Sequence, residues 1–169
     1  MSAPLQAAFF DACRRNDRDA AHELLNQDPL LLDTPDPRGF TPLIIAVYND
    51  APDVTGLLLD RGANLDAGDA AGNTALMGVC FKGYPGLFHR LIEAGANVHL
   101  RNSNGATALT FAATFGHLGF AEALLQHGAD VLVADARGKN PIDHAVIQEN
   151  VPMVELLQRY LPSREETVR

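Results

Sequence analysis

One block of this chain returns every 33 residues. The block begins at Asp36, Asp69, Asn102 and Asp135. Its glycine stands in strict register at Gly39, Gly72, Gly105 and Gly138. A fixed period of this size is typical of a solenoid, in which each unit is stable only by stacking on its neighbours. A stacked solenoid offers a long, shallow surface, which favours binding over catalysis.

Each block combines turn chemistry with a helix start. In the first copy, residues 36–39 form the turn, because their glycine is free to adopt a positive φ. Thr41 and the proline after it favour a helix N-terminus, since Thr accepts from an unpaired backbone N–H and Pro suits the first helical position. The apolar spacing predicts a short helix over Pro42–Tyr48 and a longer one over Pro52–Asp60, which Gly62 ends.

These residues resemble the ankyrin repeat, whose pattern is D-x-x-G-x-T-P-L-H, then A-A-x-x-G, then L-L and G-A. The matching segments are Gly39-Phe40-Thr41-Pro42-Leu43, Leu58-Leu59, Gly62-Ala63, Ala112-Ala113 and Gly116-His117. The resemblance implies an all-α ankyrin-repeat solenoid of helix-turn-helix units, with short β-hairpin-like turns between the units. No copy has the His of T-P-L-H, so we expect its hydrogen bonds to be absent or replaced. Those positions hold Ile44, Met77, Thr110 and Asp143.

We expect a single ankyrin-repeat domain over residues 1–169. Its parts are an N-terminal capping repeat (5–33), full repeats (36–68, 69–101 and 102–134), a C-terminal capping repeat (135–161) and a frayed tail (162–169). The capping repeat at the N-terminus has helical patterns around Ala7–Arg15 and Arg18–Leu25. Gln158 stands where the other copies have Leu or Ile, and a polar outer position fits a repeat that faces water.

Nothing in the sequence predicts an enzyme. The chain has no G-x-x-x-x-G-K-[ST], G-x-S-x-G or H-E-x-x-H motif, and no two of its six histidines have metal-ligand spacing. We therefore expect no catalytic residue, no cofactor and no metal, and give the histidines structural roles. Cys80 is expected in the helix core as an inert thiol. Cys13 is followed by Arg14 and Arg15, whose positive charges could lower the pKa of its thiol. The sequence therefore leaves open whether this thiol is reactive.

Charge and cysteine content limit the class of partner and the compartment. The net charge of −8 argues against nucleic-acid binding, which needs clustered Lys and Arg. Two cysteines outside any Cys-x-x-Cys favour reduced thiols in an intracellular protein. The apolar run at residues 7–10 is too short for a leader, and no stretch approaches a membrane span. We expect a cytoplasmic protein, monomeric on its own, that binds neither nucleic acid nor membrane.

The resemblance also implies that a partner would bind at the turn tips and on the exposed side of the first helices. Mapped onto this chain, the predicted partner-binding residues are Arg38, Phe40, Tyr48, Asn49, Asn73, Phe81, Lys82, Arg101, Asn104, Thr114, Phe115, Arg137, Lys139, Ile147 and Gln148. Tyr48, Phe81 and Ile147 share one repeat position. With Phe115 and Phe40 they would form an apolar, largely aromatic ladder, the kind of surface from which interface hot spots are made.

The same set contains five basic residues and no acidic one. The rest of the chain then has eight basic against 21 acidic residues. A basic, aromatic groove on an acidic body would attract an acidic partner. The alternative is that the shared side chains pack against the neighbouring unit, while solvent, Asp50 and Glu149 dilute the positive charge.

The sequence therefore predicts a non-catalytic protein–protein interaction module. Its partner would be a protein of acidic and apolar character, bound on the concave face. The alternative is an accessory inhibitor or an immunity-like protective protein, which would use the same surface to occlude a specific enzyme or toxin.

Overall fold

A computed structural model describes residues 3–162 of the chain. Within this range it has ten α-helices, one short 3-10 helix and no strand, so the predicted all-α class is confirmed. The chain divides into two compact units, unit 1 (Met1–Asn97) and unit 2 (Val98–Arg169). The single domain over residues 1–169 and its repeat boundaries stay predictions. The tail predicted to fray lies, from residue 163 on, outside the described residues.

Unit 1 consists of helix pairs in two rows. Its helices are α1 (Ala3–Arg14), α2 (Arg18–Gln27), α3 (Pro42–Tyr48), α4 (Pro52–Asp60), α5 (Ala75–Lys82) and α6 (Pro85–Glu93), with a 3-10 helix (Pro29–Leu32) after α2. The first helices α1, α3 and α5 pack side by side, and the second helices α2, α4 and α6 form the other row. Each second helix also packs on the first helix of its own pair. This is the stacked helix-turn-helix arrangement that the 33-residue period predicts.

Unit 2 repeats the arrangement with two helix pairs. Its helices are α7 (Ala108–Phe115), α8 (Leu118–Gln126), α9 (Pro141–Ile147) and α10 (Val151–Gln158). Within the unit, α7 packs on α9 and α8 packs on α10. The first helices again form one row and the second helices the other.

A polar side chain caps the first helix of every repeat from Asp36 onward. Thr41 Oγ1 accepts a hydrogen bond from the backbone N–H of Ile44 at 3.2 Å, and Thr74 and Thr107 act in the same way. In the last repeat Asn140 replaces Thr, and its Oδ1 accepts from the backbone N–H three residues on at 3.0 Å. Each cap satisfies a backbone donor that has no partner within the helix. The predicted helix starts are confirmed.

The residues that replace the family's histidine divide into two kinds. Ile44 and Met77 are buried, so in those copies an apolar contact stands in place of the histidine. Thr110 and Asp143 instead complete capping boxes, accepting the backbone N–H of their own N-cap residue at 3.1 and 2.9 Å. In the two copies of unit 2, a local capping hydrogen bond therefore takes the place of the histidine.

An acidic or amide side chain organises each turn. Asp36 Oδ1 accepts hydrogen bonds from the backbone N–H groups of Arg38 and Phe40, at 2.9 and 3.0 Å. The Asp36 N–H also donates to the Phe40 carbonyl at 2.9 Å, a hairpin-like closure without strands. Gly39 has a φ of +87°, which a residue with a side chain adopts only under strain.

The N-terminal region is helical, as predicted, but α1 is longer than its pattern indicates. It begins at Ala3 instead of near Ala7, because Pro4 lies in the first turn, where a backbone N–H has no helical partner. Phe9, Phe10 and Cys13 form its buried side.

The cap at Thr107 predicts a measurable loss of stability. Thr107→Ser and Thr107→Ala both remove the γ-methyl group, but only Thr107→Ala removes the hydroxyl that caps α7. We expect the alanine variant to be less stable than the serine variant by about 0.5–2 kcal/mol. Urea unfolding followed by circular dichroism measures the difference, and equal stabilities would show that the hydroxyl contributes nothing.

Candidate functional site

Three aromatic rings from the predicted ladder meet in unit 1. Phe40, Tyr48 and Phe81 form this aromatic cluster, with ring centroids 6.5 Å apart for Phe40 and Tyr48 and 6.4 Å apart for Tyr48 and Phe81. Phe40 and Tyr48 are half-buried, whereas Phe81 keeps 43% of its surface exposed. The cluster therefore packs on itself and still presents apolar surface to solvent.

A glycine in α5 positions the central ring. A Cβ atom on Gly78 would lie only 2.6 Å from Cε2 of Tyr48, so the ring of Tyr48 occupies the space that a side chain there would fill. This burial raises the pKa of Tyr48, and the nearby carboxylate of Asp69 raises it further. Tyr48 is thus held by contact between consecutive repeats.

Two cations accompany the aromatic cluster. The guanidinium of Arg38 lies over the Phe40 ring, 5.1 Å from its centroid, and its Nε is 3.5 Å from Oδ2 of Asp36. The ammonium of Lys82 lies 5.9 Å from the centroid of the Tyr84 ring. Both basic side chains are largely exposed. Arg38 contacts a ring of the aromatic cluster, and Lys82 directly follows its member Phe81 in the sequence.

The two predicted asparagines of unit 1 make hydrogen bonds within their own local segments. Asn49 Nδ2 donates to the carbonyl of Ile45 at 2.8 Å, at the end of α3. Asn73 Nδ2 donates to Oδ2 of Asp69 at 3.2 Å, within the second turn.

Unit 2 contains a cleft of about 310 Å³ that collects four of the predicted residues. These residues are Asn104, Thr114, Phe115 and Arg137. The rings of Phe111 and Phe115 are stacked along it, 6.4 Å apart and inclined by 15°. Phe115 is 46% exposed, so this cleft also combines an accessible aromatic face with a cation.

An imidazole–carboxylate pair lines the same cleft, and sequence reasoning missed it. His144 Nε2 and Asp135 Oδ2 are 2.8 Å apart. Asp135 Oδ1 accepts from the backbone N–H groups of Lys139 and Arg137, at 3.0 and 2.8 Å. The Lys139 hydrogen bond and, after it, that of His144 lower the pKa of Asp135 against the opposing effect of burial. Only the nine-residue spacing from the turn to the first helix hinted at this pairing.

Arg101 contacts the backbone of unit 2 although its side chain is exposed. It donates from Nε to the carbonyl of Gly105 at 3.1 Å and from Nη2 to that of Ala134 at 2.7 Å, so it connects two successive links between helix pairs. Thr114, which lines the cleft, donates its hydroxyl to the carbonyl of Thr110 at 2.7 Å. The predicted residues outside the cleft that are also exposed are Lys139, Ile147 and Gln148.

Both cysteines are buried thiols. Burial raises the pKa of Cys13 to about 12, and the opposing field of Arg14 is too weak to reverse this. The lowered pKa that the sequence left open for Cys13 is therefore wrong, because the thiol faces the core and the arginine side chain faces solvent. Burial also raises the pKa of Cys80, as expected of an inert core thiol.

Neither a metal-ligand cluster nor a membrane-spanning helix occurs within residues 3–162. No group of three or more His, Cys, Asp or Glu side chains in that range has an arrangement that would hold a metal ion. No helix there has the length and apolar character needed to cross a membrane.

Comparison with protein-family models identifies one family. A model described as ankyrin repeats (three copies) matches residues 9–102 and again residues 76–163. Because these matches span most of the chain, the protein belongs to the ankyrin-repeat family. Ankyrin repeats generally act as protein–protein interaction modules, and the family is typically non-catalytic. The comparison with curated proteins found no match.

The fit of Tyr48 over Gly78 predicts a specific effect of substitution. Gly78→Ala inserts a methyl group where the ring lies, so we expect the ring to move outward and the pKa of Tyr48 to fall back toward its ordinary value. NMR titration of the tyrosine ring signals measures this. Gly86→Ala is the control, because a Cβ there meets no atom within 4 Å. If the pKa of Tyr48 is unchanged in Gly78→Ala, the ring of Tyr48 is not held against Gly78.

The Asp135 pair predicts a pH-dependent contribution to stability. Because the folded-state pKa is lowered, the contribution is present above the ordinary carboxyl pKa of about 4 and is lost as pH falls below it. Asp135→Asn keeps the turn acceptor, as Asn102 does naturally, but removes the charge. We expect the free energy of unfolding of Asp135→Asn to be lower than that of wild type, and this difference to shrink as pH falls from about 5 to about 3.

Asp135→Ala separates the turn from the charge. It removes the acceptor for two backbone N–H groups, so we expect it to be about 1 kcal/mol less stable than Asp135→Asn at every pH. Urea unfolding across the pH series measures both variants. If the loss of stability in Asp135→Asn does not change with pH, the charge of Asp135 makes no contribution to stability.

Proposed function

We propose that the protein is a cytoplasmic, non-catalytic module that holds a partner protein on the surface formed by its first helices and turns. The partner presents apolar and acidic groups to this surface. The observation that carries the proposal is the aromatic cluster of unit 1, which is partly exposed and flanked by Arg38 and Lys82.

Apolar exposure supports the proposal. Large side chains left in contact with solvent in one contiguous group mark interaction sites more often than scattered ones do. Aromatic residues and arginine are also the commonest interface hot spots, because they bury a large area at a small cost in conformational entropy. Phe81 is 43% exposed although its ring neighbours Tyr48, which leaves an edge for a partner to cover.

The distribution of charge supports an acidic partner. Asp36, the acidic residue nearest to Arg38, is only 7% exposed and its carboxylate is committed to the turn. Arg38 and Lys82 instead extend into solvent. The chain as a whole carries a net charge of −8, so its other surfaces would repel an acidic protein.

The unit 2 cleft offers the same combination independently. It sets Arg137 beside the stacked rings of Phe111 and Phe115, and Ile147 nearby on α9 is 59% exposed. We include Lys139 and Gln148 in this second contact region. Arg101 is exposed as well and holds two backbone carbonyl groups of unit 2 through hydrogen bonds. The monomeric state and the lack of nucleic-acid binding stay predictions.

Removal of the exposed rings predicts a loss of binding. In affinity purification from the source cell, the double variant Tyr48→Ala and Phe81→Ala is expected to recover the partner at least about tenfold less than wild type, as loss of two hot-spot side chains implies. Leu30→Ala is the matched control, since Leu30 is an exposed apolar residue of the same unit, in the 3-10 helix outside the proposed surface.

Salt tests the charge component separately. Binding of the recovered partner to wild type is expected to weaken steeply as ionic strength rises, and less steeply for Arg38→Ala with Lys82→Ala. If wild type and the double variant Tyr48→Ala with Phe81→Ala recover equal amounts of the partner while both are folded, the proposal is wrong.

An inhibitory or protective role would use the same surface. If the partner is an enzyme or a toxin, its activity measured with and without saturating amounts of this protein distinguishes occlusion from simple scaffolding.

A further inference from the structure

The end of α1 forms one side of a cleft in unit 1. The cleft has a volume of about 230 Å³. Arg14 lines one side of it, and residues of the first turn and of α3 line the rest. Ile44 and Ile45 form a buried apolar floor, and the rings of Phe40 and Tyr48 contribute the wall. Arg14 belongs to the region that the sequence assigned only to capping, so it was not among the predicted partner-binding residues.

The charges around this cleft are unbalanced. Arg38 has Asp36 beside it at 3.5 Å, and that carboxylate also accepts two backbone N–H groups. Arg15, next to Arg14, pairs with Asp11 at 3.2 Å on the other side of α1. Among residues 3–162, no ion pair involves Arg14. The cleft therefore carries one guanidinium, that of Arg14, which forms no ion pair with a described carboxylate.

The environment of the two arginines suits a carboxylate that lies beside an apolar group. A guanidinium matches a carboxylate with two parallel N–H···O hydrogen bonds. The buried floor beneath it excludes water and offers contact to an aliphatic or aromatic side chain. Arg38 is already oriented by its position over the Phe40 ring, so less side-chain entropy is lost when it contributes to binding.

We infer that this cleft is a receptor for an acidic residue next to a large apolar residue in a peptide segment of the partner. Arg14 binds the side-chain carboxylate of the Asp or Glu, and the apolar neighbour rests on Ile44 and Ile45 against Tyr48. The inference rests on the proposed function, which has the partner present apolar and acidic groups to the exposed surface but does not say where each of them binds. It adds the end of the capping repeat to that surface and states which residue pair the partner supplies.

A peptide-display selection on the full chain provides the probe. Random peptides are selected on wild type, on Arg14→Ala and on Arg15→Ala. Arg15→Ala is the matched control because it removes an adjacent arginine that already has Asp11 as its partner. We expect wild type and Arg15→Ala to enrich peptides with Asp or Glu beside a large apolar residue, and Arg14→Ala to lose the acidic preference alone.

A double-mutant cycle then tests the contact itself. One enriched peptide, acetylated and amidated so that no terminal carboxylate is present, is compared with its Glu→Gln or Asp→Asn form. Arg14→Ala is expected to weaken binding of the acidic peptide about tenfold, which is the size of one charge-assisted hydrogen-bonded contact. It should leave binding of the neutral form unchanged, whereas Arg15→Ala should affect neither.

The outcomes separate the two proposals. If enrichment shows no acidic residue, the cleft inference and the acidic partner of the proposed function are both wrong. If Arg14→Ala instead weakens the acidic and neutral peptides equally, only the cleft inference is wrong. The proposed function still stands in that case, provided that Tyr48→Ala with Phe81→Ala abolishes the enrichment. If that double variant and Arg14→Ala both enrich the wild-type set of peptides, the proposed surface and the cleft are both wrong.

Discussion

The packing of one repeat's first helix against the next is the contact on which the rest of each unit depends. Neither helix of a pair has enough neighbours within the pair to bury its apolar side. Small or compact side chains occur at one repeat position along the row, and all are fully buried. They are Ala46, Val79, Ala112 and Ala145. Their size lets the helices approach closely, and this approach fixes which neighbouring positions remain on the surface.

The repeat position that precedes these small buried residues determines the chemical character of each exposed region. It is held by Ile45, Gly78, Phe111 and His144. Ile45 forms the floor of the unit 1 cleft, and Gly78 leaves room for the ring of Tyr48. Phe111 stacks on Phe115, and His144 pairs with Asp135 in the unit 2 cleft. One scaffold therefore presents a different chemical surface at each repeat, because side chains at this position vary while the backbone contact stays the same.

The turns engage their acidic groups in hydrogen bonds to the backbone. Asp36, Asp69 and Asp135 direct a carboxylate oxygen at the backbone N–H groups of their own turns. Their negative charge is thus used to hold the loop, while Arg38 and Arg137, two residues later in the first and last of these turns, extend into solvent. An acidic protein acquires locally basic regions in this way without an excess of basic residues. This separation is the physical basis for proposing a partner of opposite charge.

The sequence by itself determined the class of fold, the helix starts and the turns. Thr41 and Asn140 cap helices, and Gly39 adopts a positive φ in a turn. These features depend only on residues a few positions apart, so the sequence pattern is sufficient to predict them. The tertiary structure alone decided that Cys13 is buried, that Arg101 binds backbone carbonyls and that Arg14 lines a cleft. These outcomes depend on how consecutive helix pairs meet, and the spacing of residues along the chain does not specify which side chains face each other across that contact.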